Sequence, residues 1–215
     1  MTEHMSETDL ARFEEMRRID QQAHEVAEKY PKNVRGFVRH LIAESGLIAA
    51  THGENSPYRS FKYQTYIDLI HDLGRRPRRA VLQPPPGAQE VEVGECYYNC
   101  WAYTLNNPEY TYVEGYAQTN IMPVRHAWIE GPDGAIYDPT WSQFLTDKQW
   151  KDLGFKSGFR ALYWGVRFDS EFLFRRVNET GYTSVFDADW NLDFRTLRLG
   201  LVLDDRGRVV AEGES

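Results

Sequence analysis

Residues 126–140 read HAWIEGPDGAIYDPT, and this stretch predicts a β-hairpin around which the rest of the fold is arranged. Aromatic and β-branched residues stand on both sides of Pro-Asp-Gly, which is typical of two strands joined by a tight turn. Pro132 fixes the first turn position, and Gly134 supplies the left-handed conformation that a three-residue hairpin loop requires. The stretch therefore predicts two antiparallel strands in a defined register.

That register brings a histidine and an aspartate together. If Gly131 pairs with Ala135, Asp138 lies opposite Trp128, and His126 is its diagonal neighbour on the same face, within roughly 7–8 Å at Cα. A carboxylate at that separation can bind one ring nitrogen and leave the other for a nucleophile. Taken singly, the histidine is more often structural and the aspartate more often a turn residue, but the pair in register favours chemistry.

Cys96 is the candidate nucleophile. Gly94 and Glu95 lead directly into a helical segment predicted over 97–105, so Cys96 falls at a helix N-terminus. Unpaired N–H groups and the helix dipole favour a thiolate there, and the same N–H groups can bind an oxyanion. Cys100, one turn further, is expected to pack as a small buried residue. The spacing of the two cysteines suits neither a disulfide nor a structural zinc site, and we predict no metal and no cofactor.

Composition sets the broad class. The chain has 215 residues, 41% of them hydrophobic and 14% aromatic, which predicts one globular domain over residues 1–215. Its net charge of −7 makes nucleic acid an unlikely partner. No apolar run is long enough for a membrane span, and the polar start is unlike a signal peptide, so we expect a cytoplasmic protein without membrane association. The oligomeric state stays open.

Periodicity outlines the elements. Residues 1–80 are predicted as a helical N-terminal part, followed by a Pro-rich loop that ends near Gly94. The predicted helices are Ser6 to Tyr30 (closed by Pro31), Val34 to Ala50, Tyr63 to Leu73, Tyr97 to Leu105, Thr146 to Leu153 and Ser170 to Asn178. The predicted strands are Tyr110 to Ala117, Val124 to Glu130, Ala135 to Pro139 and Arg160 to Phe168, with a tail that is either a hairpin or loose.

Four arginines, Arg75, Arg76, Arg78 and Arg79, surround Pro77. One interpretation is a solvated loop that follows a helix. The other is a docking patch for phosphate or an acidic partner.

Four motifs in order resemble the transglutaminase-like and papain-like cysteine enzymes. They are Gly94-Glu95-Cys96 entering a helix, YVEGY (112–116), HAW (126–128) and YDPTW (137–141). The resemblance covers about a fifth of the chain, from Gly94 to Trp141. It implies an α+β fold in which the nucleophile helix packs on an antiparallel sheet, with a catalytic core over 94–141 and the helical N-terminal part added to it. It also implies that Cys96 is the nucleophile, His126 the general base and acid, and Asp138 the orienting carboxylate.

The expected activity is that of a metal-independent thiol enzyme on a peptide, protein or small amide or ester. Water as the second nucleophile makes it a peptidase or amidase, which we slightly prefer because it needs no second binding site, and an amine makes it an acyltransferase. The alternative is a catalytically silent binding protein that docks an acidic partner through Arg75 to Arg79. Gln83 and Gln89 are available as side-chain oxyanion donors, but neither has decisive spacing, so that role is left to backbone N–H groups. The nearby aromatic residues, Tyr116, Trp128, Tyr137 and Trp141, line either a groove or the core.

Overall fold

The computed structural model describes residues 6–53, 55–88, 91–119, 122–144 and 160–213. Its helices are α1 (Glu7–Ala27), α2 (Arg35–Thr51), α3 (Tyr66–Leu73), α4 (Cys96–Asn106), α5 (Trp141–Phe144), α6 (Ser170–Thr180) and α7 (Arg195–Leu199), with short 3₁₀ helices at Pro57–Ser60 and Asp189–Leu192. Its strands are β1 (Arg78–Val81), β2 (Thr111–Gln118), β3 (Val124–Glu130), β4 (Ile136–Tyr137), β5 (Arg160–Phe168), β6 (Leu201–Leu203) and β7 (Arg208–Glu212). Within these ranges, every helix is too short or too polar to cross a bilayer.

Residue contacts divide the chain into two compact units, Met1–Ser60 and Phe61–Ser215. Helix α3, which the sequence groups with the helical N-terminal part, therefore belongs by its contacts to the second unit. The prediction of a single domain over 1–215 stays a prediction.

The first unit is built on α1 and α2, which pack against each other. Ser6 caps α1 as predicted, because its Oγ accepts a hydrogen bond from the Asp9 N–H at 3.1 Å. Gly46 weakens α2 intrinsically but permits its close approach to α1, since a Cβ there would lie 2.8 Å from Cγ2 of Ile19. The apolar residues Leu10, Phe13 and Met16 near the start of α1 are about half exposed.

The second unit is of mixed α+β type and contains a curled, largely antiparallel sheet. The strand order is β4-β3-β2-β5-β7-β6, and β1 also pairs with β5. Only the pairing of β5 with β7 is parallel within the described strands. Helix α4 packs against β3 and β2, which places its first turn beside the hairpin formed by β3 and β4.

The predicted hairpin register is confirmed. The Gly131 N–H donates to the carbonyl of Ala135 at 2.9 Å, and Ile129 lies opposite Tyr137. Gly134 has a φ of 77°, the left-handed conformation that the turn was expected to need. Strand β4 is shorter than predicted and ends at Tyr137, so Asp138 leaves the sheet in a turn.

One other expectation is changed by a non-local contact, one is confirmed, and one falls outside the described residues. Arg78 and Arg79 lie in strand β1, opposite Tyr163 and Leu162 of β5, so reading the whole arginine run as a loop was wrong. The tail forms a hairpin of β6 and β7. The helix predicted over Thr146 to Leu153 lies outside the described residues.

Candidate active site

The position of Cys96 follows from the start of α4. Gly94 has a φ of 84°, and Glu95 occupies the N-cap without any side-chain hydrogen bond to the helix. The first N–H groups of α4 therefore lack a capping side chain and are available to a bound oxygen atom. Cys96 is 8% exposed and lines a cleft, whereas Cys100 is fully buried, and both are free thiols.

His126 and Asp138 meet as the hairpin register predicts. The Nε2 atom of His126 lies 2.8 Å from Oδ2 of Asp138, and both side chains are almost completely buried. Cys96 lines the same cleft as His126 and interacts electrostatically with its ring. Because Nε2 is engaged by Asp138, Nδ1 is the ring nitrogen left for the thiol. The structure thus brings together all three predicted site residues.

Asp138 is held by more partners than the sequence indicates. Its Oδ1 accepts the Trp141 N–H at 2.8 Å, and its Oδ2 accepts the Tyr163 hydroxyl at 3.0 Å. Its own N–H donates to the carbonyl of Gln83 at 2.9 Å. Tyr163 was not among the predicted site residues, because it lies on β5 outside every motif.

The charges at the site follow from burial and from these contacts. Burial alone lowers the pKa of His126, but the charge of Asp138 and the hydrogen bonds to Asp138 and Cys96 outweigh it and raise the pKa to about 9. The ring is therefore an imidazolium at neutral pH. Burial raises the pKa of the Cys100 thiol well above its usual value, so Cys100 remains a thiol.

Trp141 covers the histidine. Its ring stacks on that of His126, with centroids 4.0 Å apart and planes 16° from parallel. Trp128, by contrast, is 2% exposed and belongs to the core cluster. Trp141 therefore lines the cleft, whereas Trp128 belongs to the core.

The cleft beside Cys96 has a volume of about 460 Å³. Besides Cys96 and His126, its lining consists of Val93, Gly94, Val124, Arg125, Thr140 and Trp141. A carbonyl compound in this space has access to the sulfur atom, the start of α4 and the imidazole together.

Asn99 ties the surrounding segments to one another. Its Nδ2 donates to the Glu92 carbonyl at 2.8 Å and to Oγ1 of Thr140 at 3.0 Å, while its Oδ1 accepts the Glu92 N–H at 3.2 Å. These bonds connect the loop before Cys96, the second turn of α4 and the turn after Asp138. They fix the segment before Cys96 relative to the turn after Asp138.

Neither candidate side-chain oxyanion donor is assigned to that role. The Nε2 of Gln83 donates to the carbonyl of Ile136 at 3.2 Å, so this residue supports the turn before Asp138. Gln89 lies outside the described residues.

Two of the four arginines in the run form ion pairs within the chain. Arg75 and Arg78 form ion pairs with Glu130, which is 3% exposed and also lies 3.3 Å from Nε of Arg167. Arg76 and Arg79 are exposed. Glu130 thus partly neutralises Arg75 and Arg78, and docking of an acidic partner through the run stays a prediction.

Among the described residues, no three His, Cys, Asp or Glu side chains are grouped as a metal site requires. Comparison with protein-family models, curated proteins and solved structures finds no match to this chain.

Proposed function

We propose that the second unit carries a papain-like or transglutaminase-like core and acts as a metal-independent thiol enzyme on amide, ester or thioester bonds. The observation that carries the proposal is the buried contact of 2.8 Å between Nε2 of His126 and Oδ2 of Asp138, with Cys96 lining the same cleft as that ring. A nucleophile, a base that also acts as acid, and an orienting group are the parts that covalent acyl transfer needs.

Each step uses groups already in place. The Cys96 sulfur attacks the carbonyl carbon as a thiolate, a C–S bond forms, and the N–H groups at the start of α4 stabilise the negative oxygen. The bond to the leaving group then breaks as the His126 imidazolium donates its proton to that group. Water or an amine next attacks the thioester carbon and gives its proton to His126. The C–S bond then breaks, which releases the acyl product and restores the Cys96 thiolate and the His126 imidazolium. Hydrolysis remains the slight preference, because it needs no second substrate site.

The test is acylation and alkylation of the native protein, read by peptide mapping. We expect 4-nitrophenyl acetate to acylate Cys96 and iodoacetamide to label it more than about tenfold faster than Cys100, because only Cys96 lies at an accessible helix start next to an imidazolium. Denaturation should remove the difference.

Two variants serve as matched controls, since they alter thiols one turn apart on the same helix. Cys96→Ala should abolish native labelling, and Cys100→Ala should preserve it. Equal labelling of the two cysteines, or faster labelling of Cys100, would contradict the proposal. The binding-protein alternative would then take its place.

A further inference from the structure

Tyr163 places a hydroxyl on the carboxylate that holds the histidine. It is 2% exposed, and its Oη lies 3.0 Å from Oδ2 of Asp138, the same oxygen that His126 contacts. Its ring packs in the core beside Trp128, with centroids 5.0 Å apart. A phenylalanine would fill the same space, so packing alone does not account for the hydroxyl.

The three donors on Asp138 differ in what they control. The Trp141 N–H binds Oδ1 and comes from the adjacent turn, so it fixes the carboxylate locally. Tyr163 and His126 both bind Oδ2, and each withdraws part of the negative charge of that oxygen from the other. Burial and the charge of Asp138 raise the pKa of the Tyr163 phenol, so the phenol keeps the proton that it donates.

We propose that Tyr163 is a positioning residue of this site: its hydroxyl fixes the Asp138 carboxylate and limits how strongly that carboxylate holds the proton of His126. The catalytic consequence rests on the proposed function, whereas the effect on the histidine does not. An imidazolium held too tightly is a poor proton donor to a leaving group, since acid catalysis is most effective when the pKa of the acid lies near the working pH.

Tyr163→Phe tests the inference. Without the hydroxyl, Oδ2 concentrates more charge on His126, and the pKa of His126 should rise by between about 0.5 and 1 unit, the amount that one neutral hydrogen bond supplies. The release of 4-nitroaniline from an acyl 4-nitroanilide should fall by about 3- to 10-fold, because this amine leaves only with a proton, which His126 now gives up less readily. The pKa is measured by NMR of histidine labelled with ¹⁵N, and the His126→Gln spectrum assigns the signal.

Tyr112→Phe is the matched control. The Tyr112 hydroxyl is also buried in the sheet, and it also donates to a carboxylate, Oε2 of Glu114, at 3.1 Å. Its removal should cost a comparable amount of thermal stability but leave the pKa of His126 unchanged. An unchanged pKa in Tyr163→Phe, or an equal shift in Tyr112→Phe, would overturn the inference.

A second substitution keeps the test valid if Tyr163→Phe does not fold. Incorporation of 3-fluorotyrosine at position 163 makes the phenol a stronger donor with little change of shape, so the pKa of His126 should fall. A rise, or no change, would overturn the inference. If the pKa shifts occur as expected but Cys96 is unreactive in the unmodified protein, the proposed function fails and the positioning role stands. If Cys96 is labelled fast but the pKa of His126 does not shift in the variants, the proposed function stands and the positioning role is overturned.

Discussion

Glu114 and Asp138 are both 1% exposed carboxylates attached to the same sheet, yet their surroundings differ in kind. Glu114 accepts hydrogen bonds from the Ser184 hydroxyl at 2.6 Å and from the N–H groups of Val185 and Phe186 at 2.8 and 3.0 Å. Those donors hold their protons at all ordinary pH values, so Glu114 acts as a rigid anchor for the segment after α6. Asp138 instead binds the ring of His126, which carries a titratable proton. That ring lies beside the Cys96 thiol in the cleft.

The comparison indicates that burial of a carboxylate does not by itself mark a catalytic site. What differs is whether one of its donors titrates and whether that donor reaches solvent-accessible space. Glu114 organises a loop, and Asp138 orients the His126 ring. The two residues can be separated by experiment, because the same chemical change should have different consequences at each position.

The largest expected effect comes from replacing each carboxylate by its amide. Asp138→Asn should leave the fold intact but slow the reaction of Cys96 with 4-nitrophenyl acetate by up to about 10⁴, the cost of the equivalent change in a serine-protease triad, because the amide favours the wrong imidazole tautomer. Glu114→Gln should preserve the reactivity of Cys96 but lower the free energy of unfolding by about 1–3 kcal/mol, since the amide nitrogen faces fixed donors. Acylation rates and urea unfolding of both variants provide the measurement. If Glu114→Gln slows acylation as much as Asp138→Asn does, the two carboxylates do not differ in their effect on Cys96, and the distinction between them is wrong.

A smaller effect is expected from the turn that delivers Asp138. Gly134→Val forces a β-branched residue into a φ of 77°, which should cost about 1–3 kcal/mol and displace Asp138 from His126. Cys96 should then be alkylated more slowly, although no site residue has been changed. Circular dichroism and iodoacetamide labelling together separate this effect from unfolding.

Gly207→Val is its control, because Gly207 has a φ of 70° in the hairpin between β6 and β7, and a Cβ there meets no atom within 4 Å. It imposes similar backbone strain away from Asp138. Its stability should fall comparably, while the labelling of Cys96 stays at the wild-type rate. Equal slowing in the two glycine variants would mean that general destabilisation, not displacement of Asp138, controls the thiol.

Local patterns were sufficient to predict much of this region. Strands β3 and β5 have the predicted bounds, and the turn chemistry of Pro132 and Gly134 determined the register that aligns His126 with Asp138. These features depend on neighbours within about fifteen residues. Such short-range preferences are the part of a fold that sequence periodicity records.

The features that were missed depend on distant segments. Tyr163 reaches Asp138 across 25 residues, and Ser184 reaches Glu114 across 70. Strand β1 forms only because β5, about 80 residues later, pairs with it. No pattern in a single sequence encodes such partners, because any buried tyrosine or serine meets the same local requirements.

The dependence of stability on pH distinguishes the two carboxylates by the pH above which the contribution at each site begins to be lost. The pKa of His126 is raised from 6.5 to about 9 in the folded protein. The folded state therefore binds more protons than the unfolded state between these values. The contribution of His126 to stability is complete below about pH 6.5 and is lost as the pH rises through about 9, at up to about 1.4 kcal/mol per pH unit.

Glu114 shows the same sign, starting from a lower pH than His126. Burial raises its pKa above 4.5, so its contribution decreases as the pH rises above that value. Urea unfolding as a function of pH should therefore show that His126→Gln flattens the decline between about pH 6.5 and 9 and leaves the acidic part unchanged. Glu114→Gln should instead flatten the decline that begins above pH 4.5. If His126→Gln left the alkaline decline intact, the proton on His126 would not be linked to folding, and Asp138 would be a structural anchor of the same kind as Glu114.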